Sequence, residues 1–158
     1  MTHAELLARE AIRHTMASYT MAGDRLRVED FIAVFTEEGV LQSEGVSAED
    51  SFCYRGRAQI KNWMARWLEQ AADDSAPTHQ ATFVRHHLAT SLVEFIDQDT
   101  AKARTYWTAY TDIGADHCGY YVDQFHRQGE SWLIAQRSIR LDWRSPQSLM
   151  FSAISRSR

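Results

Sequence analysis

Four long runs rich in β-branched and aromatic residues, 82–96, 101–113, 118–127 and 131–143, fill the second half of the chain, separated only by the short turns DQDT, GADH and RQGE. Connections that short join antiparallel neighbours, because a parallel crossover needs roughly a dozen residues or more. The chain is thereby committed to a consecutive antiparallel meander. Whatever precedes residue 82 must pack on it or extend it.

The first half reads mainly as helix. Leu6, Leu7, Ile12, Met16 and Tyr19 recur near the helical period over residues 3–21, with Thr2 or His3 as the start and Gly23 as the stop. A second helix is expected over 28–35, with Phe31, Val34 and Phe35 on one side. Short strands follow near 40–44 and 52–54, with a polar loop between them. Gly56 opens a third helix, in which Ile60, Trp63, Met64, Trp67 and Leu68 fall at i, i+3, i+4, i+7 and i+8. It runs out in the loop AADDSAPT. Helices first and long strands after make an α+β fold, with helices packed on one face of a curved antiparallel sheet.

At 158 residues the chain is expected to form a single domain over 1–158, with its core at about 5–143 and a tail at 144–158. The tail carries Leu149, Met150, Phe151 and Ile154, and is expected to dock on a neighbouring subunit or to fray. Five Trp, six Tyr and seven Phe against only two Pro suit a curved sheet whose core leaves a cavity. A net charge of −4 argues against nucleic acid, whose partners present basic surfaces. No run approaches the ~18–20 apolar residues of a membrane span. The opening MTHAELLARE has no apolar signal region, so a cytoplasmic location is expected. Cys53 and Cys118 form no CxxC and read as reduced thiols. No phosphate loop, nucleophile elbow or compact metal motif is present, and no cofactor is expected.

Three ionisable residues fall where the local pattern predicts burial: Asp24, His86 and Arg137. A buried charge is costly unless it is paired or used. By strand alternation Arg137 shares a face with Leu133, Ala135, Ile139 and Leu141, so it either forms an internal ion pair or lines a cavity. His86 shares parity with Val84, Leu88 and Leu92, whereas His87 points the other way; bulges would shift this parity. His86 is either a satisfied core histidine or, with a carboxylate partner, a general base. Asp24 is either that partner or an ordinary cap or turn aspartate. Tyr19, one turn before the end of the first helix, aims its hydroxyl at the same cavity or packs in the core. Asp123 pairs with a neighbouring arginine or serves as a second acid. Asp112 and Asp116 flank a turn, and His79, His117 and His126 are expected to be exposed. Trp107, Tyr106, Tyr110, Tyr120 and Tyr121 read as wall and interface material.

The order of three helices and a curved sheet, with YTMAGD early, RHHLATSLVEFIDQDTA centrally and GYYVDQFHRQGESWLIAQR late, resembles the SnoaL-like branch of the NTF2-like superfamily over about residues 5–143. That branch includes dehydratases and a dehydrochlorinase. The resemblance implies a cone-shaped fold enclosing a pocket, and a histidine on the first long strand paired with an aspartate at the end of the first helix, which fall on His86 and Asp24. One dehydratase's tyrosine falls on Tyr19, and the dehydrochlorinase's pocket arginine falls on Arg137. A further aspartate of that dehydratase meets Ala109, and a second histidine found in another has no counterpart.

The activity so implied is that of a cofactor-independent lyase or isomerase acting on a hydrophobic cyclic small molecule, with catalytic residues His86, Asp24, Tyr19 and Arg137. The alternatives are a non-catalytic partner like the β-subunit of an aromatic-ring-hydroxylating dioxygenase, or a small-ligand-binding module. Neither nucleic acid nor membrane is expected as a partner. A homo-oligomer is expected, a trimer before a dimer, through the aromatic outer sheet face and the tail.

Overall fold

The computed structural model describes residues 2–44, 51–72 and 81–150. His79, Phe151, Ile154, most of the loop before β2 and most of the AADDSAPT loop lie outside the described residues. Helix α1 (His3–Asp24) starts at Thr2, whose side chain accepts from the Glu5 amide while Glu5 reaches back to the Thr2 amide. Such a reciprocal cap contributes about 1 kcal/mol. Its inward stripe buries Ile12, Met16 and Tyr19 as expected, whereas Leu6 and Leu7 stay exposed.

Helix α2 (Val28–Ala33) stops short of the expected residue 35, because Phe35 already begins β1 (Phe35–Glu44). There the Ile134 amide donates to the Val34 carbonyl, and sheet pairing with a distant strand overrides local helical period. Strand β2 (Phe52–Arg55) leads into α3 (Gly56–Ala71), which buries Ile60 and Met64 and leaves Leu68 exposed. The meander then follows as β3 (Arg85–Phe95), β4 (Thr100–Thr111), β5 (Gly114–Gln128) and β6 (Ser131–Arg144).

The strands form one sheet in the order β2-β1-β6-β5-β4-β3, antiparallel throughout except for the parallel β1–β6 pair. Helices α1 and α3 pack on its concave side, α1 against β6 and β3, α3 against β1 and β2. This is the expected α+β cone, with a curled and unclosed sheet.

Bulges decide which side chains enter the cone. The β3–β4 register shifts between Leu88 and Ser91, so His86 points inward as expected while Leu92, read as its face-mate, is exposed. The β5–β6 register skips Ala135. Arg137 therefore joins the inward face with Trp132 and Ile134, not with Leu133 and Ala135. The β4–β5 register skips Asp116, inside the segment GADH, whose composition predicts a turn. At Gly119 the strands come so close that a Cβ would lie 1.9 Å from the Arg140 carbonyl oxygen, so only glycine fits.

The opening of the tail is tied to β5: the Ser145 amide donates to the Asp116 carbonyl and the Leu149 amide to its carboxylate.

Candidate active site

The helices and the inner sheet face enclose a cavity of about 540 Å³. Its walls are aromatic: Phe31, Phe52, Tyr54, Trp63 and Trp67, together with Tyr19, Trp107 and Tyr121, line it. Among the described residues, Asp24, His86 and His117 are the titratable acid and imidazole side chains on its surface.

Asp24 is the last residue of α1. Just beyond it the Leu26 amide donates to Gly23 and the Arg27 amide to Ala22, turning the chain sharply. Leu26 takes the left-handed conformation at φ 54, which costs a non-glycine residue roughly 1–2 kcal/mol, and its side chain joins the cavity wall. The Asp24 carboxylate makes no cap. One oxygen accepts the His86 backbone N–H at 2.9 Å, and the other lies 2.6 Å from His86 Nδ1. Two bonds to one residue hold the imidazole's position and its tautomer together, with Nδ1 donating and Nε2 as the acceptor. The Asp24 side chain is nearly buried and that of His86 is 25% exposed at the cavity.

Arg137 is not on that surface. It lies behind the wall with no solvent exposure, its Nε and Nη2 donating to the two Asp123 oxygens at 2.8 and 2.7 Å. Its guanidinium is sandwiched 4.1 Å from the ring centres of Tyr19 and Tyr121. Burial works against its charge, but the Asp123 carboxylate outweighs it and pushes the Arg137 pKa up. Burial raises the Asp123 carboxyl in turn, with Arg137 opposing. The expected trio is thus a pair at the cavity and a separate ion pair beneath it. Tyr19 joins the two: its ring covers Arg137, and it lines the cavity beside Asp24. Burial, partly offset by Arg137, pushes its hydroxyl up to about 12, so it stays a neutral donor.

Sequence reasoning missed His117. It is buried in the cavity wall, with Nδ1 2.7 Å from Asp116 Oδ1, and its ring lies 5.9 Å from that of His86 and 5.4 Å from Trp107. Adjacent strand residues normally face opposite ways, but the bulge at Asp116 turns both inward. The adjacent Asp-His pair was the available signal. Burial acts to raise the Asp116 carboxyl, yet hydrogen bonds from Ser148, Leu149 and His117 bring it below the usual range. Burial lowers the His117 pKa, against the pull of Asp116.

That shift has a consequence for stability. The unfolded chain takes up a proton at residue 117 near pH 6.5, whereas the folded chain resists it. This contribution is complete above pH 6.5 and is lost as the pH falls below it, by at most about 1.4 kcal/mol per pH unit. Urea midpoints at pH 7.5 and about 5.5 are expected to fall further in the wild type than in His117→Gln. Equal shifts in both proteins would contradict this assignment.

Among the described residues no group of three or more His, Cys, Asp or Glu is arranged to hold a metal ion, and no helix is long and apolar enough to cross a membrane. No curated protein sequence matches the chain. Similar folds occur in solved structures. A provisionally named scytalone dehydratase of Novosphingobium aromaticivorans superposes with a TM-score of 0.73 at 19% identity, over 92% of this chain and 91% of that one. The β-subunit of a provisionally named aromatic-ring-hydroxylating dioxygenase from the same organism gives 0.71 at 17%, over 89% and 93%. A hexachlorocyclohexane dehydrochlorinase of Novosphingobium barchaimii gives 0.70 at 13%, over 90% and 92%. At these identities the likeness is one of fold. The model of the SnoaL-like domain matches residues 4–138, nearly the whole cone and the strands that carry the cavity, and the chain belongs to that family.

Proposed function

We propose that this protein is a cofactor-independent lyase or isomerase that moves a proton on a hydrophobic cyclic molecule. The observation that carries the reading is the two-point hold of Asp24 on His86 at the edge of an apolar cavity. With Nδ1 donating to Asp24, Nε2 is the base. It takes a proton from a carbon beside a carbonyl or a leaving group, and Asp24 stabilises the imidazolium that forms. In an elimination the C–H electrons become the double bond, the C–O bond breaks, and the imidazolium returns its proton to the departing oxygen as water. In an isomerisation the proton returns to another carbon. Neither route needs an oxidant or reductant.

The neutral Tyr19 hydroxyl donates to the oxygen on which charge develops. Arg137 acts from beneath the wall through the Tyr19 ring, so its part is electrostatic support without substrate contact. The aromatic walls and a volume of about 540 Å³ suit a substrate of two or three fused rings. Lyase chemistry of this kind is also what the names of the dehydratase and dehydrochlorinase neighbours describe for those proteins.

The test uses 2-tetralone, whose ring CH₂ beside the carbonyl is acidic. Incubated with the protein in D₂O, it is expected to exchange that hydrogen faster than in buffer, and the gain is expected to vanish in His86 variants. Binding of 2-tetralone without exchange would favour a ligand-binding module.

We also propose that the protein assembles through the outer sheet face, where Leu92, Tyr106, Tyr110, Val122 and Trp143 are exposed. A trimer is expected in sedimentation velocity, and a monomer at micromolar concentration would refute this.

A further inference from the structure

We propose that Arg66, braced by Tyr54 at the lip of the cavity, is an anion anchor, so that the cyclic molecule bound there carries a carboxylate at the end away from its reacting carbon. This rests on the reading above that the cavity takes a cyclic small molecule. It adds a specificity-determining residue and a substrate class to it.

Arg66 lies on α3, three residues past Trp63 and directly before Trp67. That spacing puts it on the flank of the inward stripe, where the apolar face of the helix meets water. An arginine so placed ordinarily runs out into solvent. Here its guanidinium turns over the Tyr54 ring, 5.6 Å from the ring centre, and Nη2 donates to the Tyr54 hydroxyl oxygen at 2.9 Å. Arg66 stays exposed and yet lines the cavity, as Tyr54 does.

The contact with Tyr54 leaves most of the donor capacity unused. Other cations of α3 are committed, Arg57 to the Phe35 carbonyl and Lys61 to Glu29. Among the described residues no carboxylate pairs with Arg66, not even Glu69 one turn further on. Tyr54 accepts from Arg66 and keeps its own hydroxyl proton, which no acceptor among the described residues takes. Two donors thus stand side by side, next to the aromatic wall of Phe52, Trp63 and Trp67.

A carboxylate suits that pair, because both its oxygens accept and the planar guanidinium matches its fork. The charges of the cavity give the direction. Among the described residues Asp24 is the one carboxylate on its surface, and Arg66 the one arginine or lysine. Asp24 is nearly buried beside His86, whereas Arg66 is exposed. A ligand carboxylate therefore meets like charge at the first and opposite charge at the second. The molecule is turned with its anion to α3 and its neutral ring system toward His86.

The test compares 2-naphthoate with 2-naphthamide, which are near-isosteric and differ in charge, by calorimetric titration of the full chain at about pH 7.5, where the acid is ionised. In about 0.02 M salt the wild type is expected to bind the naphthoate about five- to tenfold more tightly than the amide, as an exposed charge-assisted contact allows. Raising the salt to about 0.5 M should remove most of that preference by weakening the naphthoate. Arg66→Met is expected to bring the two affinities together, and Arg66→Lys to keep part of the difference. Tyr54→Phe, which retains the ring, is expected to lose part of it.

The proposal is overturned if 2-naphthoate shows no saturable binding, if it binds no better than the amide, or if the preference survives in Arg66→Met. Deuterium exchange into 2-tetralone by the wild type tests the catalytic reading separately. Exchange without a naphthoate preference would remove the assignment of Arg66 alone. A preference without exchange would remove the role of His86 and leave that of Arg66 standing.

Discussion

Replacing His86 by glutamine is expected to slow hydrogen exchange into 2-tetralone by about 10²–10⁴-fold, the range associated with a positioned general base. Glutamine still has N–H groups for the Asp24 carboxylate, so the contact at the end of α1 is largely kept. It has no basic nitrogen for the substrate. Asp24→Asn should lose nearly as much by the opposite route, since an amide that donates toward Nδ1 turns the tautomer over and takes the lone pair from Nε2. The folds should survive, because His86 is partly exposed and sits at the start of β3. Thermal melts of both variants near the wild-type midpoint would establish that. The measurement is the NMR signal of the exchanging carbon in D₂O. Undiminished exchange in a folded His86→Gln protein would end the proposed mechanism.

Removing Arg137 is expected to have the largest effect on stability. Arg137→Met would leave the Asp123 carboxylate without solvent and without a cation, and breaking one partner of such a pair costs about 3–5 kcal/mol. It would also remove the cation between the Tyr19 and Tyr121 rings, where desolvated contacts contribute about 2 kcal/mol. Asp123→Leu should destabilise to a similar extent, by leaving the guanidinium uncompensated. The double variant Arg137→Met, Asp123→Leu is expected to recover most of the loss, because an apolar pair of similar volume carries no desolvation cost. Urea denaturation of all four proteins closes the cycle. If the double variant were destabilised by the sum of the singles, the pair would be independent of its own geometry, and the account of the buried core given above would be wrong. Catalysis should fall in Arg137→Met only as far as Tyr19 is disturbed.

The bulges explain which site residues were legible in the sequence. Asp24 lies at a helix end marked by Gly23, and His86 lies before the first irregularity of β3, so the helix stop placed the first and simple alternation the second. Arg137 shares its inward face with Ile139 and Leu141 as alternation predicts, but with Trp132 and Ile134 in place of Leu133 and Ala135, because the skipped Ala135 exchanges the faces within β6. Its partner Asp123 lies directly across the ladder, a relation that neither strand's own sequence contains. His117 was lost altogether, since its segment has the composition of a turn and becomes strand only by pairing with β4 and holding the tail.

By itself the chain determined the order of its elements, the antiparallel meander, the helical stripes, and a carboxylate at the end of the first helix with an imidazole on the first long strand. These depend on periodicity, turn length and side-chain chemistry, all of them local. The tertiary structure alone decided where alternation breaks, which charge meets which, and that a second histidine faces the first across Trp107. A bulge forms where two strands best satisfy their hydrogen bonds and side-chain packing together. Its position is therefore a property of the pair, and no single segment carries it.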